Sequence, residues 1–418
     1  MLTGTVVAVL MHGAALAADA VPAPEPVSEI QRALFDDAAL TLHFRSYLFD
    51  RDNTSGSDPA AWAGGGWIGY ETDWISDVLK FGLVGYTSQP LWAPDDRDGT
   101  LLLKPGQEGY GVLGQAYAAL KYEEQVLTLY RQLVNQPEVN PQDSRMTPNT
   151  FEGVSLKGEL GLVGYYAGVL TAMKQRNSDE FIDIANAAGV NEDSDMFLGG
   201  LEFSPIDELK ARTSLYVVPD LLASSYSDAI WTAPVAEDTK LRVSGQFMYQ
   251  SGIGDELLTG PDFDAWVFGI KGDVIHRGLT LTAGYTGNGS DGNWQAPYGS
   301  WPGYTSMIVK DYNRAGEQAL LLGASYDFEE LGAKGLVLSA LAAIDLDVDS
   351  GLPENNEYDF TADYRFSALE GNLEWLAPLW LRVRYAYVDT ENPDDTDDRL
   401  DDFRVIVNYE LQLHGSDL

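Results

Sequence analysis

Between residues 403 and 413 the chain alternates. Phe403, Val405, Val407, Tyr409, Leu411 and Leu413 take the odd positions, and Arg404, Ile406, Asn408, Glu410 and Gln412 the even ones. A period of two gives a strand one oily and one wet face, and this length suits a tilted strand that crosses a bilayer. Residues 381–388 repeat the pattern, with Leu381, Val383, Tyr385 and Tyr387 opposed to Arg382, Arg384 and Ala386. In residues 241–249 the wet phase holds Arg242, Ser244, Gln246 and Met248; in residues 40–49, Leu40, Leu42, Phe44 and Leu48 oppose Thr41, His43 and Arg45. Further copies run through 209–217, 264–273, 279–285 and 320–328.

A soluble sandwich also alternates, so one such strand decides little. Here the strands recur along nearly the whole chain, and aromatics gather near their ends as an interfacial girdle requires. The connections look unequal: residues 374–378 (EWLAP) read as a tight turn, whereas 389–402 read as a long acidic loop. Short turns at one end and long loops at the other mark a transmembrane antiparallel β barrel, an all-β fold. At roughly 22 residues per strand with its share of loop, about 400 residues give about 18 strands. No compositional break divides residues 19–413, which are expected to form a single barrel domain, with 414–418 as a C-terminal tail. Apolar residues 6–10 and 14–16 lead into Ala15-Leu16-Ala17-Ala18, a small-residue cleavage pattern, so residues 1–18 are expected to be a signal peptide. The longest later apolar run, 336–344, is half of what a membrane helix needs.

Composition removes several functions. The 418 residues include no cysteine, which excludes disulfides, thiolate metal sites and iron–sulfur clusters. A net charge of −38 repels phosphate backbones, so no nucleic-acid partner is expected. Gly64, Gly66 and Gly69 spell G-x-G-x-x-G, but no buried strand precedes them and no crossover helix follows; they suit a barrel strand or turn. Asp345, Asp347 and Asp349 begin like a calcium loop that then has Ser350 and Asn356 where Gly and Glu are needed. His12, His43, His276 and His414 are scattered. No metal, cofactor or catalytic residue is expected, and the chain does not read as an enzyme.

The scarce bases are more informative. Arg45, Arg51, Arg242, Arg382, Arg384 and Arg404 all fall on the polar phase of their strands, and Lys210, Arg212, Lys240 and Lys271 share that phase in theirs. That phase is the lumen, because a base facing lipid at mid-membrane costs about 2–4 kcal/mol. Closure of a barrel sets its last strand against its first, so Arg45, Arg382, Arg384 and Arg404 should meet on one stretch of inner wall. Such a row passes a carboxylate from fork to fork by bidentate hydrogen bonds. The plainer alternative is that these arginines neutralise acidic groups inside the lumen.

Residues 42–52 (LHFRSYLFDRD), 135–154 (NQPEVNPQDSRMTPNTFEGV), 311–317 (DYNRAGE), 381–388 and 402–413 (DFRVIVNYELQL) together resemble the OprD-type outer-membrane porins, which are carboxylate-selective substrate channels. The resemblance spans almost the whole mature chain. It implies a Gram-negative outer-membrane barrel with extracellular loops folded inward and a constriction for passive uptake of small carboxylates, amino acids or aromatic acids. The basic ladder it implies falls on Arg45, Arg382, Arg384 and Arg404; Arg145 lies in the matching inward loop, and Asp311 is the acid facing the ladder. Ile406 stands where some relatives carry a second base, and the last strand ends on Leu413 rather than on an aromatic. Arg131 shares its phase with Leu127, Leu129 and Leu133, so it is not assigned to the lumen. Outer-membrane lipid, lipopolysaccharide and the barrel-assembly machinery are the implied partners, as a monomer or weak trimer. The rival readings are a barrel of another class, a membrane hydrolase or an adhesin, and a secreted sugar-binding β protein.

Overall fold

The computed structural model describes residues 28–348, 351–368, 371–394 and 396–415. The expected signal peptide, Asp349, Asp395 and most of the expected tail lie outside them. The strands are β1 (Ala39–Asn53), β2 (Ala60–Glu71), β3 (Leu79–Trp92), β4 (Tyr110–Tyr122), β5 (Gln125–Gln132), β6 (Thr150–Leu160) and β7 (Val163–Lys174). They continue with β8 (Ile182–Asp183), β9 (Met196–Ile206), β10 (Leu209–Val218), β11 (Leu222–Ala236), β12 (Thr239–Gly252) and β13 (Asp264–His276). The rest are β14 (Leu279–Asn288), β15 (Gln318–Asp327), β16 (Leu336–Asp347), β17 (Glu354–Arg365), β18 (Leu379–Glu391) and β19 (Asp397–His414).

Strand β8 is a two-residue ladder inside a loop. The other eighteen pair antiparallel with their neighbours, and β1 pairs with β2 on one side and β19 on the other, which closes the barrel. Closure removes every sheet edge, as a strand structure in lipid requires. Alternation survives in the walls: Phe44, Ile68, Phe247 and Phe403 are exposed on the outside, whereas Arg45, Gln246, Asp402 and Arg404 are buried inward.

Two-residue turns join β4 to β5, β6 to β7, β9 to β10, β11 to β12 and β13 to β14 at one end. The opposite end carries the long segments 93–109, 133–149, 175–195 and 289–317. Two connections differ from the sequence reading. Strand β18 runs to Glu391 and β19 begins at Asp397, so the expected loop 389–402 shrinks to 392–396. Above the bilayer both faces of a hairpin see water, so pairing continues where alternation no longer shows it. The expected tight turn 374–378 belongs to a longer connection, 366–378, with short 3₁₀ turns.

Segments 133–149 and 289–317 fold into the lumen and hold each other. The backbone N–H of Asn140 donates to the Tyr298 carbonyl at 3.2 Å, and that of Ser300 donates to Asn140 Oδ1 at 2.9 Å. Beneath them Val134, Val139, Phe151, Leu170, Met173, Ile184, Leu198, Tyr216, Val218 and Tyr298 make a dry core inside the barrel.

Candidate functional site

Small residues make room where the inward loop meets the wall. Ala61, Ala63 and Gly65 of β2 stand in register with Phe49, Tyr47 and Arg45 of β1. A Cβ on Gly65 would lie 2.2 Å from the Thr87 carbonyl oxygen; Gly66 adopts φ +122° and a Cβ there would lie 1.9 Å from the His43 carbonyl oxygen. Only glycine fits that close, left-handed passage. Met146 of the inward loop packs into the resulting hollow with Tyr47, Phe49, Leu102 and Leu103.

The guanidinium groups gather above this floor. Arg384 and Arg404 are directly opposed across β18 and β19, and Arg404 is opposed to Phe49 across β19 and β1. The Phe49 ring lies 4.9 Å from the Arg404 guanidinium carbon and 5.3 Å from those of Arg51 and Arg145. Most of the arginines are held by carboxylates. Arg45 forks onto Asp143 at 2.6 and 3.1 Å and gives its Nε to Asn408 at 2.7 Å. Arg404 forks onto Asp402 at 2.6 and 3.0 Å, and Arg51 bonds the same carboxylate at 2.7 and 2.9 Å. Arg382 forks onto Asp363 at 2.7 and 3.1 Å.

Arg384 differs. Among the described residues it makes no hydrogen bond and no ion pair within 4 Å, its Nε is buried without a partner, and it feels the Asp359 carboxylate of β17 only at longer range. A buried N–H of a cation left unmatched is costly, so this guanidinium is the one with hydrogen-bonding capacity the wall does not use.

The loops add two more cations and an acid. Arg145 donates to the carbonyls of Thr100 at 2.8 Å and Ser144 at 2.9 Å, and Arg176 Nη1 donates to Ser144 Oγ at 2.5 Å. Burial, reinforced by Arg404 and Arg176, pushes Arg145 below the ordinary guanidinium range; burial and Arg404 push Arg176 the same way. Arginine keeps its proton, so the meaning of this crowding is a local excess of positive field. Asp311 accepts from Ser306 Oγ at 2.7 Å; burial raises its carboxyl, while Ser306 and Arg176 oppose the rise. Lys174 holds the loop in place, its buried Nζ donating to Thr147 Oγ1, the Pro148 carbonyl and the Gln175 carbonyl at 2.8–3.2 Å.

The other bases of the polar phase lie elsewhere on the inner wall. Arg212 forks onto Asp228 at 2.8 and 2.9 Å, Arg242 stands 3.8 Å from Asp273, and Lys271 lies over the Tyr304 ring. Lys210 and Lys240 are exposed near the short-turn end. Arg131 pairs with Glu152 at 2.7 Å and lies under Phe181, 4.1 Å from its ring centroid. His43 is stacked on Trp67 on the inner wall, and His276 bonds Thr239. Sequence reasoning missed Arg176 and Lys174, at and beyond a strand end where phase carries no signal, and the acids Asp143, Asp363 and Asp402 that hold the arginines.

The family described as outer membrane porin, OprD family, matches residues 32–413. Porin D of Pseudomonas aeruginosa is 24% identical over 420 residues, covering 91% of this chain and 92% of that protein. The crystal structure of OpdK from Pseudomonas aeruginosa with vanillate superposes with a TM-score of 0.78 at 21% identity, covering 91% of this chain and all 100% of that one. A BenF-like porin from Pseudomonas fluorescens superposes at 0.80 with 18% identity, covering 90% and 98%. These structures share the barrel fold.

Proposed function

The chain belongs to the OprD family of outer membrane porins, and from that premise we propose that it admits small carboxylates through an arginine-lined constriction. It is an outer-membrane channel; what is proposed is the cargo and the residues that select it. The reading rests on Arg384, the unpartnered guanidinium of the ladder. Its neighbours Arg404 and Arg382 are already forked onto carboxylates, so an incoming acid meets one free fork set in a positive field rather than a row of equally sticky sites. A low-dielectric constriction focuses that field, which draws in an anion although the whole chain is acidic. Binding that is favourable but single-pronged also lets the cargo leave.

Arg45, Arg51, Arg145, Arg382 and Arg404 shape the field, with Arg176 as an addition, and Asp311 stands ready for the ammonium group of an amino acid. The relative OpdK was solved with vanillate, an aromatic acid, which supports ring acids as a second cargo class. Lipid and lipopolysaccharide on the outer belt, and delivery by the barrel-assembly machinery, belong to the same reading, as a monomer or weak trimer.

The test is planar-bilayer recording with a panel of carboxylates added to one side, comparing the wild-type protein with Arg384→Gln. Loss of one charge-assisted fork, worth about 1.5–3 kcal/mol before solvent discounting, should lower carboxylate capture about tenfold. Conductance in plain potassium chloride should change much less. Equal capture by the variant would refute the assignment.

A further inference from the structure

We propose a second substrate station in the lumen, on the wall facing the ladder: a chamber that holds hydroxylated ring acids after they leave Arg384. It rests on the reading of the pore as a carboxylate channel. A cavity of about 960 Å³ lies between segment 135–143 of one inward loop, segment 300–306 of the other, and the wall from β10 to β16. Small-molecule sites occupy roughly 300–1,000 Å³. Asp143, which grips Arg45, also lines this cavity, so it adjoins the constriction.

Its charges are unevenly used. Arg212 is bound to Asp228 by both prongs, and Asp143 is taken by Arg45. Among the described residues Lys271 has no carboxylate partner; its Nζ stands 4.9 Å from the centroid of the Tyr304 ring. Arg242 is 3.8 Å from Asp273, whose shorter contact is the Thr282 hydroxyl at 2.7 Å. Arg242 is in register with Asp273, and Ser244, two residues on, with Lys271, so the two loosely held cations are diagonal neighbours on one face. A carboxylate set between them gains the partners that the protein leaves out.

The remaining lining fits a ring with polar substituents. Tyr304, half-buried, offers an aromatic surface to the chamber, backed by the deeply buried Tyr226 and Trp301. Among the described residues Trp301 Nε1 is buried in the chamber wall without a hydrogen-bond partner, whereas Tyr304 Oη lies beside the Ser244 hydroxyl. An unmet donor of this kind is satisfied by a hydroxyl group on a ligand ring, while the ring itself stacks against Tyr304. An unringed acid of the same charge uses only the two cations.

Single-channel recording distinguishes these cases. The probes are 4-hydroxybenzoate and glucuronate, with butyrate as the unringed acid, applied to wild type, Lys271→Gln/Arg242→Gln, Tyr304→Leu and Arg384→Gln. The ratio of ring-acid to butyrate dwell time should fall about tenfold in Tyr304→Leu, since stacking and its hydroxyl act on the ring alone. Dwell of every acid should shorten in the double variant. In a Thr282→Cys variant of this cysteine-free chain, 4-hydroxybenzoate or glucuronate should slow labelling by a membrane-impermeant thiol reagent; whichever protects better tells an aromatic from a sugar ring. A wild-type dwell ratio in Tyr304→Leu together with no protection at position 282 overturns the chamber. Arg384→Gln keeps the two readings apart: if it leaves capture frequency unchanged while Tyr304→Leu shortens ring-acid dwell, the constriction assignment fails and the chamber stands.

Discussion

The lumen has two unlike walls. From β17 through β19 to β1 the inward positions carry Asp363, Arg382, Arg384, Asp402, Arg404 and Arg45, wet or ion-paired throughout. From β6 to β11 they carry Phe151, Leu170, Leu198, Tyr216, Val218 and Leu222, buried under the loops as a dry core. Both walls face lipid on the outside, yet at the level of the inward loops only one faces water within; further along β10 and β11, Arg212 and Asp228 line the wet chamber. The dry wall fixes the loops and so sets the aperture; the wet wall presents charge to whatever fits through. On the proposed reading, aperture and selectivity are therefore separable, and substitutions on each wall should show different signatures.

The largest effect belongs to the dry wall. Phe151 is fully buried at the start of β6, directly after the inward loop. Phe151→Ala should cost about 3–5 kcal/mol, as large cavities in packed cores do. In detergent this appears as a clear fall in the unfolding midpoint, and in bilayers as higher, noisier conductance with carboxylate preference retained. Loss of preference at unchanged stability would break the separation.

The next concerns Glu138, which ties the inward loop to β11 through the Ser224 hydroxyl at 2.6 Å. Burial pushes its carboxyl up to about 7, with Ser224 opposing only in part. Unfolded, it titrates in the ordinary carboxylate range, so between those values the folded chain holds a proton that the unfolded chain has lost. Stability is then greatest at acid pH and falls as pH rises through about 7. The full span is worth about 3 kcal/mol. Unfolding midpoints at pH 5 and pH 8 should differ in wild type, and Glu138→Gln should flatten the part of the difference that this group supplies. A midpoint that rises with pH through Glu138 would reverse the sign and exclude the mechanism.

The contrast between the walls also explains what the sequence made legible. Lipid on the outer face forces alternation, so β1, β18 and β19 and their inward arginines are readable from residues 40–49, 381–388 and 403–413. On the dry wall, inward Phe151, Tyr216 and Val218 are as apolar as their outward neighbours, and phase cannot tell core from lipid. The small stretch of Ala61, Ala63 and Gly65 is a seat for a loop, which nothing local announces. With 64 carboxylates in the chain, nothing in the pattern singles out Asp143, Asp363 and Asp402 as the ones that hold arginines. The freedom of Arg384 is a property of its surroundings, and only folding reveals it.

The smallest expected effect tests whether charge at the mouth could replace charge on the wet wall. Asp394 sits in the exposed connection between β18 and β19, above the ladder. The Thr396 hydroxyl donates to its Oδ1 at 2.6 Å, and this bond holds its carboxyl below the usual range, so it is ionised at every working pH. Its negative charge opposes carboxylate approach in principle. At physiological salt, however, exposed charge is screened within about 8 Å, so Asp394→Asn should raise carboxylate capture by less than about twofold. The same variant at tenfold lower salt should show a larger gain, since the screening length grows, whereas Arg384→Gln should depend less on salt because its field acts inside the constriction. If Asp394→Asn instead matched or exceeded Arg384→Gln at physiological salt, selection would lie at the mouth, and the wet wall would be only a lining.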